Sequence, residues 1–346
     1  MKKTILIALI FVLALTFTTC GGGDDDDGGG GGGGGGKGNL QKWTAVSDSK
    51  FGTSAIYAIA YGNNRFVAVG WDGKTAYSDD GENWTYVSNN GRWQGIAYGN
   101  NRFVAVSDFN AIAYSADGES WTKVSVNSSY GSIELYGIAY GNNKFVAVGA
   151  YKQGNYYSGI IMYSTNGTSW TDVSDTTFGT SGWFSDSSNT TINAIAYGNN
   201  RFVAVGVDGK MAYSDDGETW TAVSNSTFGT SSISAIAYGN NRFVAASGSR
   251  SAYSEDGVTW KSGADSGVPV AAIAYGGGRF VAVGYLGKMA YSTNGTSWTA
   301  VTDSTIWQNG TYSDGSQRYS DIRAIAYGNN RFVAVSSSGK MAYADW

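Results

Sequence analysis

The chain has 346 residues, 14% of them aromatic, with 51 Gly, one Pro, one Cys and no His. Without His, and with a single thiol, Ser-His-Asp and Cys-His catalysis and nitrogen- or sulfur-rich metal sites are excluded. The formal charge of −4 disfavours a nucleic-acid partner.

Lys2 and Lys3 precede an apolar run from Ile5 to Phe17 that ends near Cys20, and no second membrane-length segment follows. The run is too short for a comfortable transmembrane helix and reads as an export signal. A lone cysteine placed directly after it resembles the lipobox of bacterial lipoproteins. That resemblance implies a signal peptide over residues 1–20, a lipid on Cys20, and anchoring to the bacterial cell envelope at the outer membrane or cell surface. The plainer reading is an ordinary signal peptide with an incidental cysteine. Residues 21–38 are Gly and Asp with one Lys, a composition that cannot bury apolar surface and is expected to stay disordered. As a flexible tether its mean reach is roughly 25 Å. With the charges of leader and tether set aside, residues 39–346 carry about −3.

The rest is a repeat. IAYGNNRFVAV begins at Ile59 and recurs, nearly letter for letter, at Ile96, Ile138, Ile195, Ile236, Ile273 and Ile325. Each copy holds two short apolar runs split by a tight turn, and a third run such as MAYS follows. A tight turn comes next (Asp80-Gly81, Asp117-Gly118, Asn166-Gly167, Asp216-Gly217, Asp256-Gly257, Asn294-Gly295) and leads into a fourth run opening on Trp. Runs bounded by such turns are strands, four antiparallel per unit. The first two are almost continuously apolar, as expected where neighbouring sheets cover both faces.

The fourth-strand tryptophans are Trp43, Trp84, Trp121, Trp170, Trp220, Trp260 and Trp298. Trp43 precedes any first strand, while the last repeat ends at Met341–Trp346 without a fourth strand. The predicted fold is therefore an all-β, seven-bladed β-propeller over residues 39–346, with Trp43–Val46 completing the last blade and removing the open edges. The alternative, an open solenoid, needs capping ends that the sequence lacks. Ala-rich first strands suit the crowded axis and Trp-bearing fourth strands the periphery. Each Trp wedged between blades, burying on the order of 200 Å², contributes about 5 kcal/mol, so these seven are structural rather than ligand platforms.

The turn SDDGETW, with its relatives SADGESW and STNGTSW, resembles the Asp box of the sialidase-like (BNR-like) propellers, where Ser and Asp side chains bond the turn backbone. The family pattern has one more residue between Asp and Gly. The resemblance implies a propeller whose boxes lie on the rim, away from a site.

One face of such a fold carries the near-constant Gly-Asn-Asn and Asp-Gly turns. The other carries the irregular connections: YKQGNYYSG in blade 3, the segment around Gly182-Trp183-Phe184, and Ser304 to Tyr319. Insertions confined to one face mark a binding face. Non-repeat aromatics gather in them: Trp71, Trp93, Phe109, Tyr151, Tyr156, Tyr157, Trp183, Phe184, Tyr285, Trp307, Tyr312 and Tyr319, with Arg92 and Arg318. Rigid aromatics serve protein hot spots and sugar platforms alike, though each could instead plug a gap beneath a loop. Phe51, Phe178 and Phe228 belong to a repeated FGTS loop and read as packing. On the constant face Arg65, Arg102, Lys144, Arg201, Arg242, Arg279 and Arg331 share one repeat position. They are either a ring for an anion or acidic lipid, or solvated strand ends paired with turn carboxylates, and we favour the second.

A sialidase-like hydrolase would need clustered arginines with a Tyr, a Glu and an Asp. Arg92, Arg250, Arg318 and Arg323 are the non-repeat arginines, and Glu134 is the one glutamate in a loop of that face. No cofactor or metal is expected, since each turn offers too few carboxylates for calcium. The expected protein is a monomeric, lipid-anchored, non-enzymatic module that binds a glycan or protein on its loop-rich face. A sialidase-like glycoside hydrolase and an envelope assembly or scaffolding factor are the alternatives.

Overall fold

The computed structural model describes residues 40–345 apart from 89–90, 127, 154–155 and 174–189, together with the backbone but not the side chains of Gln153 and Tyr156. Cys20, the leader and tether, Phe178, Trp183 and Phe184 lie outside the described residues.

Among these residues, seven four-stranded antiparallel sheets form a β-propeller. The innermost strands are Ile56–Gly62, Trp93–Gly99, Ile133–Gly141, Ile192–Gly198, Ala235–Gly239, Val270–Gly276 and Ile322–Gly328, and each touches its neighbours so that the ring closes from the last to the first. In the last blade Thr44–Ala45 pairs with Met341–Asp345, in the register Thr44 to Tyr343 and Ala45 to Ala342, and the Val46 N–H reaches the Met341 carbonyl. The closure expected from the unpaired ends is thus formed. Leu40 and Trp43 are buried beside it.

The repeat letters are explained by contacts between blades. The Gly ending each inner strand lies beneath the Tyr of the next blade's IAYG, from Gly62 under Tyr98 round to Gly328 under Tyr61. Each Tyr also tilts against the Phe of its own second strand, with ring centroids 4.6–4.8 Å apart. The Asn-Asn turns place both residues at positive φ, 49° and 57° at Asn63 and Asn64, a region Asn tolerates and tight hairpins require.

The cations of the constant face grip their neighbours. Arg65 bonds Asp79 in its own blade, then the Asp117 carbonyl and Glu119 in the next. Lys144 does the same with the Asp216 carbonyl and Glu218, Arg201 with Asp215 and the Asp256 carbonyl, and Arg331 with Asp345 and the Asp80 carbonyl. Arg65, Arg201 and Arg331 also lie over the third-strand rings of Tyr77, Tyr213 and Tyr343. These charges are spent within and between blades, which supports pairing over an anion ring at the axis.

In each tight turn one side-chain oxygen does the work of a cap. Asp256 Oδ1 accepts from the Ser254 hydroxyl and from the N–H groups of Val258 and Thr259, while Ser254 Oγ accepts from the Gly257 N–H. Asn166 and Asn294 accept through Oδ1 from the equivalent groups. The tryptophans sit at the end of these turns, one residue before the fourth strand, and five donate Nε1–H to the turn Gly carbonyl, as Trp84 does to Gly81 at 3.2 Å.

Burial alone would raise the Asp256 carboxyl, but the backbone N–H groups of Thr259 and Val258 and the Ser254 and Thr259 hydroxyls outweigh it, bringing the group down to about 2. Asp80, Asp117 and Asp216 are lowered by the same balance. A depressed carboxyl binds fewer protons folded than unfolded, so its stabilisation is complete above the unfolded value near 4 and is lost as pH falls through the folded one. Thermal midpoints should therefore drop from about pH 4 to about pH 2. Replacing the four aspartates by Asn keeps the caps, as Asn166 and Asn294 show, and should flatten that slope. An unchanged slope in melting curves taken across this range would refute the assignment.

Candidate functional site

The irregular face is shaped by a recurrent fault in the inner strands. In six blades the register slips by one residue near the strand start, between Ile56 and Ala58, Trp93 and Gly95, Leu135 and Gly137, Ile192 and Ala194, Val270 and Ala272, and Ile322 and Ala324. The bulge leaves one residue out of the ladder at the same end of each blade. These residues are Tyr57, Gln94, Tyr136, Asn193, Ala271 and Arg323, with Ser234 at the matching place in blade 5. They vary while the IAYG after them does not. Sequence reasoning missed this ring, although its signal was present: each residue stands two before the repeat Ile.

The large members of the ring, in blades 7, 1, 2 and 3, join a strip of aromatic and arginine side chains. Arg92 lies over Trp71, its Cζ 3.5 Å from the ring centroid, and the same Cζ is 5.3 Å from the ring centroid of Phe109. Tyr57 meets Trp71 edge-on at 6.0 Å. Its hydroxyl is pushed up by burial, and this is opposed by the charges of Arg92 and Arg323. Arg323 continues the strip over Tyr285 at 5.6 Å and is paired with Asp321 at 3.3 Å. Asp321 also accepts the N–H of Leu286.

Leu286 is 53% exposed and sits at φ 59°, where the equivalent turns of blades 1 and 4 hold Asp72 and Asp208. An exposed leucine in left-handed conformation gains nothing locally, and such outliers gather at functional surfaces. Phe109, 63% exposed, crowns the opposite end of the strip.

Beneath it lies Asp108. Its Oδ2 is ion-paired with Arg92 Nη2 and accepts a hydrogen bond from Gln94 Nε2, each at 3.1 Å. Burial raises the Asp108 carboxyl, and Arg92 and Gln94 only partly offset this. In blade 3, Glu134 accepts from the hydroxyls of Tyr136 and Tyr157. Burial, followed by that bond and the Glu134 charge, holds the Tyr136 phenol protonated far above its ordinary range. The Tyr157 phenol is also raised, first by the Glu134 charge and then by burial.

The expected site residues thus divide. Trp71, Arg92 and Tyr285 lie on the strip together with Phe109, and Tyr157 lies beside it on Glu134. Arg318 is exposed in the hairpin Gln308–Thr311 and Gln317–Tyr319, and Tyr312 is exposed in the same hairpin. Trp93, Trp307 and Tyr151 are corrected: they are 0%, 0% and 5% exposed and belong to the packing. Trp93 stands where other blades place Ile, Leu or Val, and Trp307 packs under Gly287, whose Cβ would meet it at 2.7 Å. Tyr151 is stacked on Tyr130 at 4.4 Å. Phe51 and Phe228 are buried as packing residues. Among the described residues no group of acidic or Cys side chains is arranged to hold a metal.

A family model described as the DUF6242 beta propeller domain matches residues 178–306, less than half of the chain. No curated protein matches the sequence. Among solved structures the chain is similar to YCF48 bound to a D1 peptide, with 14% identity, a TM-score of 0.63, and coverage of 88% of this chain and 96% of that one. It is similar to virginiamycin B lyase from Staphylococcus aureus at 10% identity, TM-score 0.66, covering 88% and 98%. The WD40 propeller domain of Doa1 matches at 10% identity, TM-score 0.63, covering 88% and 97%. Identities this low carry the architecture alone, and that architecture is the β-propeller.

Proposed function

We propose that the chain is a non-enzymatic, exported binding module, held to the bacterial envelope through a lipid on Cys20, that receives a protein partner on the strip from Leu286 to Phe109. The observation that carries this reading is Arg92 set against the rings of both Trp71 and Phe109. Trp, Tyr and Arg are the residues that dominate interface energetics, and here the arginines are ordered in advance by rings and carboxylates, which lowers the entropy lost on docking. A protein suits the strip better than a glycan because the guanidinium already covers a face of Trp71 that a sugar ring would need. YCF48, alike in fold, is seen with a peptide bound.

The combined variant Trp71→Ala, Arg92→Ala, Phe109→Ala should lose crosslinked partner on intact cells, with affinity down at least about tenfold, and keep a folded circular dichroism spectrum. Retained crosslinking would refute the strip. A glycan array run on both proteins tests the sugar reading, which saturable binding lost in the variant would establish instead.

One observation favours hydrolysis as a second reading: Tyr136, Tyr157 and Glu134 share the face with Asp108, Arg92 and Arg323. Against it, both arginines are already paired with carboxylates and Tyr136 is held protonated. Turnover of a methylumbelliferyl glycoside that disappears in Tyr136→Phe would establish the enzyme.

A further inference from the structure

Asn followed by Gly is a chemically labile pair, because the glycine nitrogen can attack the side-chain amide with no Cβ in its path. Among the described residues the pair occurs at Asn166-Gly167, Asn294-Gly295 and Asn309-Gly310, and the fold holds the three differently.

At the first two both reacting groups are engaged. The Gly167 N–H donates to Ser164 Oγ at 2.8 Å, and Asn166 Oδ1 accepts from the N–H groups of Thr168 and Ser169. Gly295 and Asn294 are held in the same way by Ser292, Thr296 and Ser297. Both glycines are buried. Attack there requires the turn to open first.

Asn309-Gly310 lies exposed in the two-stranded hairpin of the irregular face. The register pairs Gln308 with Tyr319 and Thr311 with Gln317, so Asn309 and Gly310 together oppose the single residue Arg318, and neither has a partner in the ladder. Among the described residues the Asn309 side chain has no hydrogen-bond partner. Gly310, at φ 85°, stands in open space, with nothing within 4 Å of the place a Cβ would take. The hairpin's other acyl-glycine pair, Asp314-Gly315, is closed by contrast. There the Gly315 N–H donates to the Tyr312 carbonyl at 3.0 Å, and Asp314 Oδ1 accepts from the Ser316 N–H and hydroxyl.

We propose that Asn309 is a site of spontaneous deamidation, which sets a new carboxylate opposite Arg318. The Gly310 nitrogen gives its proton to solvent base and bonds to Asn309 Cγ, the Cγ–Nδ2 bond breaks, and ammonia leaves with a proton returned from water. Water then adds to either carbonyl of the resulting five-membered imide. Cleavage of the bond from Cγ to the Gly310 nitrogen gives aspartate, and cleavage of the main-chain bond gives isoaspartate. One water is consumed and one ammonia released, with no oxidant or reductant. The product carries one more negative charge than the parent, in the hairpin that also exposes Tyr312 and Arg318. Isoaspartate adds one carbon to the main chain as well, and residues outside the ladder can take it up without breaking a strand pair. The charge arises whatever the face binds.

The full chain in detergent, folded or unfolded in guanidinium, is incubated in mildly alkaline heavy-oxygen water and mapped by peptide mass spectrometry. Deamidation during the incubation leaves a heavy oxygen atom in the product, which separates it from any older product. In guanidinium the three sites should react at comparable rates. In the folded chain Asn309 should stay close to that rate, while Asn166 and Asn294 fall at least about tenfold behind it. The Asn309 rate should rise with pH, since the attacking nitrogen must first lose its proton. Equal rates at the three sites in the folded chain, or an Asn309 rate that folding lowers as far as those of Asn166 and Asn294, would overturn the site. So would a rate at Asn309 that does not rise with pH.

Discussion

A chain beginning at residue 47 is expected to associate with other copies and to lose most of its stability, although it removes none of the seven inner strands. Thr44 and Ala45 are the fourth strand of the last blade, so their removal bares the edge of Met341–Asp345. An unpaired edge is a template for another chain. Trp43 and Leu40, 5% and 2% exposed, leave with it, and losing a buried Trp alone costs about 3–5 kcal/mol. The same segment reaches blade 6, where Gln41 donates to the Ala300 carbonyl and accepts from the Thr302 N–H. It therefore staples two blades as well as completing one. Against a total stability of about 5–15 kcal/mol, the combined loss approaches the whole. Light scattering should show species larger than those of the full chain, and a synthetic peptide of residues 39–47 should reverse that association and raise the melting temperature. A truncated chain that scatters and melts like the full one would show that the ring does not depend on this closure.

That closure was legible because it is a matter of counting: Trp43 has no first strand before it and Met341–Trp346 no fourth strand after it. Strand order was legible from size, Ala inside and Trp outside. The site was legible only in part, for two physical reasons. Trp93 looked irregular beside the repeat, yet it fills the place that Ile56, Leu135, Ile192 and Ile322 fill in other blades, and a core position accepts any apolar side chain whose neighbours yield. Trp307 has no such alignment, because its loop lacks the FGTS letters through which Phe51 and Phe228 pack. The strip itself depends on blades adjacent only after folding: Tyr57 comes from blade 1, Arg323 from blade 7 and Tyr285 from blade 6. The bulge that displays Tyr57, Gln94 and Tyr136 was visible as variation before a constant motif, but only the strand register gives that variation its meaning.

The second large effect is expected from a single methyl group. A Cβ at Gly198 would lie 1.9 Å from Cγ of Tyr238 in the next blade, closer than any two carbons can approach without bonding. The Gly cannot move away, because its strand is hydrogen-bonded to Arg201–Gly206 on one side and faces the axis on the other. Nor can Tyr238 turn freely, for its ring is set against Phe243 at 4.8 Å. The blades must part or the Tyr must leave its rotamer, and overpacking of this kind costs about 1–3 kcal/mol, with a backbone-held collision at or above the upper end. Gly198→Ala should therefore lose about 3 kcal/mol, read as a lower denaturation midpoint at constant slope. Tyr238→Ala removes the ring and makes room. The double variant should accordingly be more stable than the sum of the two losses implies, by a coupling of about 1–3 kcal/mol. Six other Gly–Tyr pairs repeat the contact around the ring, so Gly99→Ala beneath Tyr140 should behave alike. Additive losses in the double-mutant cycle would mean that the Gly is kept for its backbone rather than for the ring above it, and the packing account of the repeat would fail at its most frequent contact.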